Sequence, residues 1–215
     1  MKPTGLPRVG MRCAIMQWAI LLLALADLAG AAGTGVYPVV AGPAPRRQRE
    51  ASSRLTGWTI TEILYHPRAT HEATGEFVEL CNTATWSEDL GGYRLSGAIE
   101  FTFPTGTWVA AKGRLVVAQD PATIRAGYGI TNVLGPYTGR LPDGGGSVQL
   151  RDPLDIVVWS VDYGTRSPWP VAADGSGHSL VLARPDYGEG DPRAWDASAV
   201  IGGQPGAEDG ALTNY

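Results

Sequence analysis

Short apolar segments separated by turn residues fill the chain from residue 58 to residue 184. Nine of these segments have the period-two or continuously apolar pattern of β-strands. Only residues 121–129 have a helical pattern, with a proline near the first turn and a glycine at the end. Because strands do not alternate with long helices, the pattern disfavours a parallel α/β fold and predicts an antiparallel sandwich. The predicted strands are residues 58–65, 76–82, 89–96, 99–104, 107–110, 114–119, 147–152, 156–163 and 179–184.

The alternation also predicts the core. Within residues 76–82, Val78 and Leu80 share one face of the strand, whereas Glu79 and Cys81 share the other with Phe77. We expect Val78 and Leu80 to face the core. The other expected core residues are Leu95, Phe101 or Phe103, Leu115, Val117, Val148, Leu150, Val157, Trp159 and Leu180.

The two ends of the chain have different compositions. Residues 1–31 combine basic residues, a short apolar run and small residues at Ala29 and Ala31, which is the pattern of an export signal peptide. The apolar run is shorter than the roughly 20 residues that cross a membrane, although a retained anchor is the alternative. The sequence thus predicts a signal peptide (1–31), a flexible linker (32–56), a sandwich domain (57–207) and a flexible tail (208–215). We expect the protein to be secreted or held in the cell envelope.

Charge and cysteine content narrow the expected partners. The formal net charge is −4, and nucleic-acid-binding domains usually have a strongly basic surface, so nucleic acid is not expected. A solvated linker is the preferred interpretation of its arginines, with binding of an anionic polymer or phospholipid as the alternative. If Cys13 leaves with the signal peptide, Cys81 has no partner within the chain, and no disulfide is expected. The linker arginines are Arg46, Arg47, Arg49 and Arg54.

Ten motifs follow one another over residues 58–207. They are ITEILYHP, GEFVELCN, DLGGYRLS, FTFPTGTWVAAKGRLVVAQD, AGYG, GRLPDGGGSVQLRD, IVVWSVDYG, PWPVAADGSGHSLVLARP, DPRAWDAS and GGQPGA. Their joint order and spacing resemble the lamin tail domain found in many secreted bacterial proteins. Thr61 and Cys81 depart from the usual family pattern, in which Asn and Tyr stand at these positions. The resemblance implies an all-β, immunoglobulin-like antiparallel β-sandwich of about nine short strands with one short helix, acting as a non-enzymatic binding module.

Glu62 and Glu79 are acidic residues within two otherwise apolar predicted strands. Paired carboxylates about 5 to 9 Å apart catalyse glycoside hydrolysis, so a hydrolase of an extracellular polymer is the alternative function. A small sandwich with tight hairpins leaves little room for a substrate cleft. The preferred interpretation is that each carboxylate accepts hydrogen bonds from neighbouring groups, for example from Thr61 and Tyr93.

Five residues with metal-ligand side chains lie close together in the sequence: His66, His71, Glu72, Glu76 and Cys81. Their spacing matches no compact zinc motif. A polar loop between two strands is therefore preferred over a zinc site.

A second acidic group consists of Asp186, Glu189 and Asp191, which glycines separate. A solvated loop is the preferred interpretation, with calcium binding by these three residues as the alternative. Ser176 and His178 lie within residues 174–180. Residues two apart on a strand lie roughly 6.5 to 7 Å apart, which is too far for a nucleophile and its base.

No other metal and no cofactor are expected.

The predicted function is an exported, non-catalytic binding or scaffolding module. It contacts an unknown protein or cell-surface polymer through loops at one end of the sandwich. A membrane is expected as a partner only if the signal segment stays uncleaved. The candidate contact residues are Trp86, Trp108, Trp169 and Trp195, each of which could equally lie in the core.

Overall fold

The structure is a computed structural model that describes residues 51–68 and 75–208. The predicted signal peptide, residues 32–50 of the linker and residues 209–215 of the tail lie outside these ranges. His71 and Glu72, from the possible zinc group, also lie outside them.

The described residues form thirteen β-strands and one α-helix. The strands are β1 (Trp58–Leu64), β2 (Phe77–Asn82), β3 (Glu88–Asp89), β4 (Arg94–Gly97), β5 (Ile99–Thr102), β6 (Trp108–Val109), β7 (Arg114–Ala118), β8 (Val133–Leu134), β9 (Thr138–Gly139), β10 (Gly146–Arg151), β11 (Val157–Tyr163), β12 (Leu180–Leu182) and β13 (Trp195–Ala197). The helix is α1 (Pro121–Tyr128), and single 3-10 turns occur at Ser53–Leu55, Val171–Ala173, Pro185–Tyr187 and Pro192–Ala194. No helix in the described part of the chain is long and apolar enough to cross a membrane.

The strands form two large sheets and one small ribbon. The six-stranded sheet has the order β13-β12-β1-β2-β7-β8, and the five-stranded sheet has the order β11-β10-β4-β5-β9. Strands β3 and β6 form the two-stranded ribbon. Adjacent strands are antiparallel except β7 and β8, which are parallel. The all-β sandwich with one short helix is therefore confirmed.

All nine predicted strands have a counterpart in the structure. The four additional strands are β3, β8, β9 and β13, and each has only two or three residues. Such short strands have no period of their own, and their pairing partners define them. The helix also matches its prediction. Asp120 caps its N-terminus by accepting hydrogen bonds from the N–H groups of Ala122 and Thr123, and Gly129 ends it with a φ of 67°.

A single core lies between the two large sheets. Val78 and Leu80 of the six-stranded sheet belong to the same buried cluster as Leu95 and Trp159 of the five-stranded sheet. Val157 was wrongly predicted to belong to this core. A bulge in β11 places it opposite Arg151, where it is only half-buried.

The outer face of the six-stranded sheet is covered as well. Phe77 is buried there in a second cluster with Leu64 and with Ile124 of α1. Strand β2 is therefore buried on both faces, and the acidic side chains that share a face with Phe77 lie inside the protein. This arrangement determines the surroundings of Glu62 and Glu79.

Candidate functional site

Glu62 and Glu79 are direct cross-strand partners on β1 and β2. They are 2% and 0% exposed, respectively. Both side chains lie on the outer face of the six-stranded sheet, beneath the segment that follows β13. The structure thus brings together the two acids that the sequence placed on separate strands.

Glu79 is held by three donors. Its Oε1 accepts hydrogen bonds from Thr61 Oγ1 and from Arg114 Nη1, both at 2.5 Å. Its Oε2 accepts one from the N–H of Gly206 at 2.6 Å. Burial lowers the pKa of Arg114, but the neighbouring Glu79 carboxylate outweighs this effect and raises it overall. The pair is therefore a buried, charge-assisted contact.

Glu62 has a similar position one strand away. Its Oε1 accepts hydrogen bonds from the hydroxyl of Ser179 and from the N–H of Gln204, the latter at 3.1 Å. Gly203 passes so close that a Cβ atom there would lie 1.8 Å from this oxygen. Gly203 also has a φ of 77°, which L-residues rarely adopt. Both observations explain a glycine at this position.

These contacts give the two carboxylates a structural role. Each attaches the segment 203–206 to the sheet through a main-chain N–H. Thr61 is a hydrogen-bond partner, as the sequence predicted, whereas the side chain of Tyr93 packs against the main core. At this site, two buried acids hold the segment 203–206 against the sheet.

Glu76 is a third buried carboxylate, close to the beginning of β2. It accepts hydrogen bonds from Tyr137 Oη and the N–H of Leu141, both at 2.9 Å, and from Arg140 Nε at 3.1 Å. Burial raises the pKa of the Glu76 carboxyl even though these donors lower it. Glu76 therefore fixes the loop between β9 and β10.

The other members of the possible zinc group have separate surroundings. His66 Nδ1 lies 2.8 Å from Asp174 Oδ1, near the β11–β12 loop. Cys81 is half-buried, and burial raises the pKa of its thiol. Among the residues that the structure describes, no group of three or more His, Cys, Asp or Glu side chains is placed to hold a metal ion.

Ser176 and His178 have different partners. The Ser176 hydroxyl donates to the carbonyl of Ala172, and His178 Nδ1 lies 2.7 Å from the carbonyl of Ser198. Each side chain thus stabilises a local loop connection.

Of the candidate calcium ligands, Glu189 and Asp191 line one cleft, and both have protein partners. Glu189 is buried, and its Oε1 accepts hydrogen bonds from the hydroxyl and the N–H of Ser53, the latter at 3.0 Å. Asp191 pairs with Arg193, whose Nη2 lies 2.6 Å from Oδ2. This hydrogen bonding lowers the pKa of Asp191 to about 2. Calcium binding by Asp186, Glu189 and Asp191 stays a prediction.

The four candidate tryptophans differ in exposure. Trp86 and Trp108 are 62% and 68% exposed. Trp195 is buried, and its Nε1 donates to the carbonyl of Glu189 at 2.8 Å. Trp169 is half-buried, with its ring centroid 6.3 Å from that of Trp195. Of these four tryptophans, Trp86 and Trp108 therefore offer a large aromatic surface to a partner.

Both exposed tryptophans lie at the same end of the sandwich. In the six-stranded sheet, β1 begins and β2 ends there, because Trp58 pairs with Asn82. In the five-stranded sheet, β10 ends and β4 begins there, because Arg151 pairs with Arg94. A cleft lined by both sets of loops joins the two sheets at this end. We call this surface the tryptophan end, and it comprises residues 51–57, 83–93, 104–113, 152–156 and 183–194.

Exposed apolar side chains concentrate at the tryptophan end. Among the described residues, nine large apolar side chains are exposed, and six of them belong to this end. Four of these six could not be identified from the sequence pattern, because exposure in a turn depends on how the loops pack. The six are Leu55, Trp86, Trp108, Leu154, Ile156 and Tyr187.

The fold and these contacts define an immunoglobulin-like β-sandwich whose buried acids are engaged in internal contacts and whose exposed aromatic residues lie in loops. The chain belongs to the lamin tail domain family, which matches residues 52–165, more than half of its length. The match ends before β12, yet β12 pairs with β1, so the six-stranded sheet continues beyond the matched residues. No curated protein matches the chain.

Proposed function

We propose that this lamin tail domain is an exported, non-catalytic binding module that contacts a protein or a cell-surface polymer through the tryptophan end. The observation that carries the proposal is the concentration of exposed large apolar side chains at that end. Contiguous exposed apolar surface on soluble domains is typical of interaction sites. Trp86 and Trp108 suit such a role, because tryptophan provides a large contact area with few rotatable bonds.

The internal use of the carboxylates supports a non-catalytic role. Glu62, Glu76, Glu79 and Glu189 are all buried, and each accepts hydrogen bonds from protein groups. A general acid or nucleophile must reach the substrate from a cleft. The buried acids of this domain instead fix loops and the chain segment after β13.

Export is proposed from the pattern of the first 31 residues. N-terminal sequencing of the protein recovered from the culture medium and from the cell envelope tests it. We expect a mature chain that begins close to residue 32. Recovery of the intact chain from the cytoplasmic fraction alone contradicts export.

The proposed contact surface is tested by binding to isolated cell envelopes. The double variant Trp86→Ala/Trp108→Ala should bind at least tenfold more weakly than the unchanged protein. The matched control is Val171→Ala, because Val171 is also exposed but lies outside the tryptophan end. Treating the envelopes with protease before binding separates a protein partner from a polymer. Equal binding by all three proteins rules out the tryptophan end as the contact surface.

A further inference from the structure

Strand β11 is the longest strand at a free sheet edge in the described residues. The two large sheets end in β13, β8, β11 and β9. Of these, β11 has seven residues, whereas β13 has three and β8 and β9 have two each. Proteins usually shorten or cover their edge strands, because unpaired main-chain groups are a template for another strand. The length of β11 therefore calls for a physical explanation.

Ser160 and Asp162 direct their main-chain groups away from the sheet. The N–H of Ala98 donates to the carbonyl of Ser147 at 2.8 Å, so Ser147 faces β4. Main-chain groups alternate in direction along a strand. The next residue of β10, Val148, therefore faces β11 and forms hydrogen bonds with its partner Val161. Ser160 and Asp162 flank Val161, and their N–H and C=O groups therefore point outward. Among the described residues, no strand pairs with this side of β11.

A cleft of about 870 Å³ runs beside this edge. Ile156, Val157 and Ser160 form one wall, and residues 187–191 form the other together with residues 51–52. Ile156 and Tyr187 offer exposed apolar surface, at 57% and 58% exposure. The cleft thus combines unpaired main-chain groups with apolar side chains.

We infer that the β11 edge binds an extended peptide segment of a partner protein, which adds to the five-stranded sheet as a sixth strand. The inference rests on the proposed binding function and narrows the partner to a protein. An extended segment satisfies the outward groups of Ser160 and Asp162 in the way that peptide-binding sheet edges generally do. Alternate side chains of the peptide then enter the cleft.

The walls of the cleft favour one strand over a second copy of the domain. A strand needs only about 4.7–4.9 Å beside its neighbour. A second sandwich would bring its own loops and second sheet against residues 51–52 and 187–191. A volume of about 870 Å³ lies within the range of ligand-sized sites.

The side chains also indicate the composition of the peptide. An apolar residue fits against Ile156 and Tyr187. A basic residue fits near Asp162, which is exposed and forms no ion pair within the described part of the chain. Asp162 follows Ile156 by six positions, or roughly 20 Å of strand. The bound segment is therefore extended, with an apolar and a basic residue about six positions apart.

The test uses the full chain and a phage-displayed library of random decapeptides. One enriched peptide is synthesised, and its Kd is measured by fluorescence anisotropy. Ser160→Pro removes the outward N–H without breaking the ladder to β10, and proline is tolerated at such edge positions. We expect Ser160→Pro to weaken binding at least tenfold and the matched control Ser160→Thr to change it less than twofold. Thermal unfolding of each variant verifies the fold, and Asp162→Pro replaces Ser160→Pro if the latter does not fold.

Hydrogen exchange provides a second measurement on the unchanged protein. Bound peptide should slow the exchange of the Ser160 and Asp162 amides at least tenfold. No enriched peptide, or binding that is insensitive to the proline variants, overturns the inference. Peptide binding lost only in Trp86→Ala/Trp108→Ala also overturns it but leaves the proposed function intact. A dimer in analytical ultracentrifugation that Ser160→Pro abolishes assigns the edge to a second copy instead.

Discussion

Glu62 and Glu79 face each other across β1 and β2, and each accepts a hydrogen bond from a main-chain N–H of the segment after β13. Hydrogen bonds to ionised carboxylates are stronger than neutral ones. Two buried acids from the first hairpin therefore fix a segment that lies more than 120 positions later in the chain.

Glu79→Ala should lower the free energy of unfolding by about 3 to 5 kcal/mol, because it leaves Arg114 without its buried partner. Urea unfolding monitored by tryptophan fluorescence measures the change. The control is Glu100→Ala, which removes an exposed ion pair with Arg94 and should cost less than about 1 kcal/mol. Equal losses in the two variants would contradict the assigned role of Glu79.

Gly203→Ala should be much more destabilising than Gly106→Ala. The two glycines have φ angles of 77° and 79°, so alanine has a similar backbone cost of about 1 to 2 kcal/mol at each. At Gly106 no atom lies within 4 Å of the added Cβ, whereas at Gly203 the Cβ collides with Glu62. Because of this collision, we expect Gly203→Ala to lower the free energy of unfolding by a further ~1 to 3 kcal/mol. Thermal or urea unfolding measures this difference. A difference close to zero would show that this segment moves freely away from Glu62.

Asn82→Ala should lower the free energy of unfolding by about 2 to 3 kcal/mol, because it leaves several buried main-chain groups without a partner. Asn82 Nδ2 donates to the carbonyls of Trp86, Val109 and Ala110, and Oδ1 accepts from the N–H of Ala84. Its loss should also increase proteolysis of the loop that contains Trp86.

The comparison variant for Asn82→Ala is Thr83→Ala. Thr83 is exposed, and its hydroxyl makes a single hydrogen bond to the carbonyl of Gly57. Limited proteolysis with mass spectrometry should locate new cleavage near Trp86 in Asn82→Ala and leave Thr83→Ala unchanged. Identical patterns in the two variants would disprove the anchoring role of Asn82.

Glu76 should make the stability depend on pH. Burial raises its pKa from the usual 4.5. Its contribution to stability is therefore fully present below about pH 4.5 and is lost as the pH rises through the pKa of the folded state. Tyr137→Phe removes a donor that lowers this pKa and should raise it further. Carboxyl 13C NMR titration measures both values, and Glu76→Gln should remove this step from the pH dependence of unfolding. A Glu76 pKa below 4.5 would contradict the assignment.

Calcium binding by Asp186, Glu189 and Asp191 is open to a direct test. Calcium must displace Arg193 from Asp191, so Arg193→Ala should strengthen any binding, and Asp191→Asn should weaken it. Calorimetric titration with millimolar calcium measures the affinities. No heat from the unchanged protein and none from Arg193→Ala would remove the calcium hypothesis.

Much of the fold could be predicted from the sequence. The period-two pattern identified the strands that bury a full face, and the capping residues Asp120 and Gly129 lie where the helix was expected to begin and end. The four short strands were missed because only their partners define them. Val157 was misplaced because a bulge changes the alternation that the prediction relied on.

The candidate site was less predictable. Residue type and strand position identified Glu62 and Glu79 as unusual acids, and Thr61 as a partner. Three of their other partners, Ser179, Gln204 and Gly206, lie more than 110 positions away in sequence, and only the folded chain brings them together.

The sequence by itself determined the sandwich class, the strands of the core and the family, because alternation and motif order are local properties of the chain. The tertiary structure decided which polar groups are buried, which tryptophans are exposed and which strand edge is free. These features depend on how distant loops and strands pack against one another. Strand β1 pairs with β12, and the segment 203–206 covers Glu62 and Glu79. The two candidate catalytic acids therefore make internal contacts.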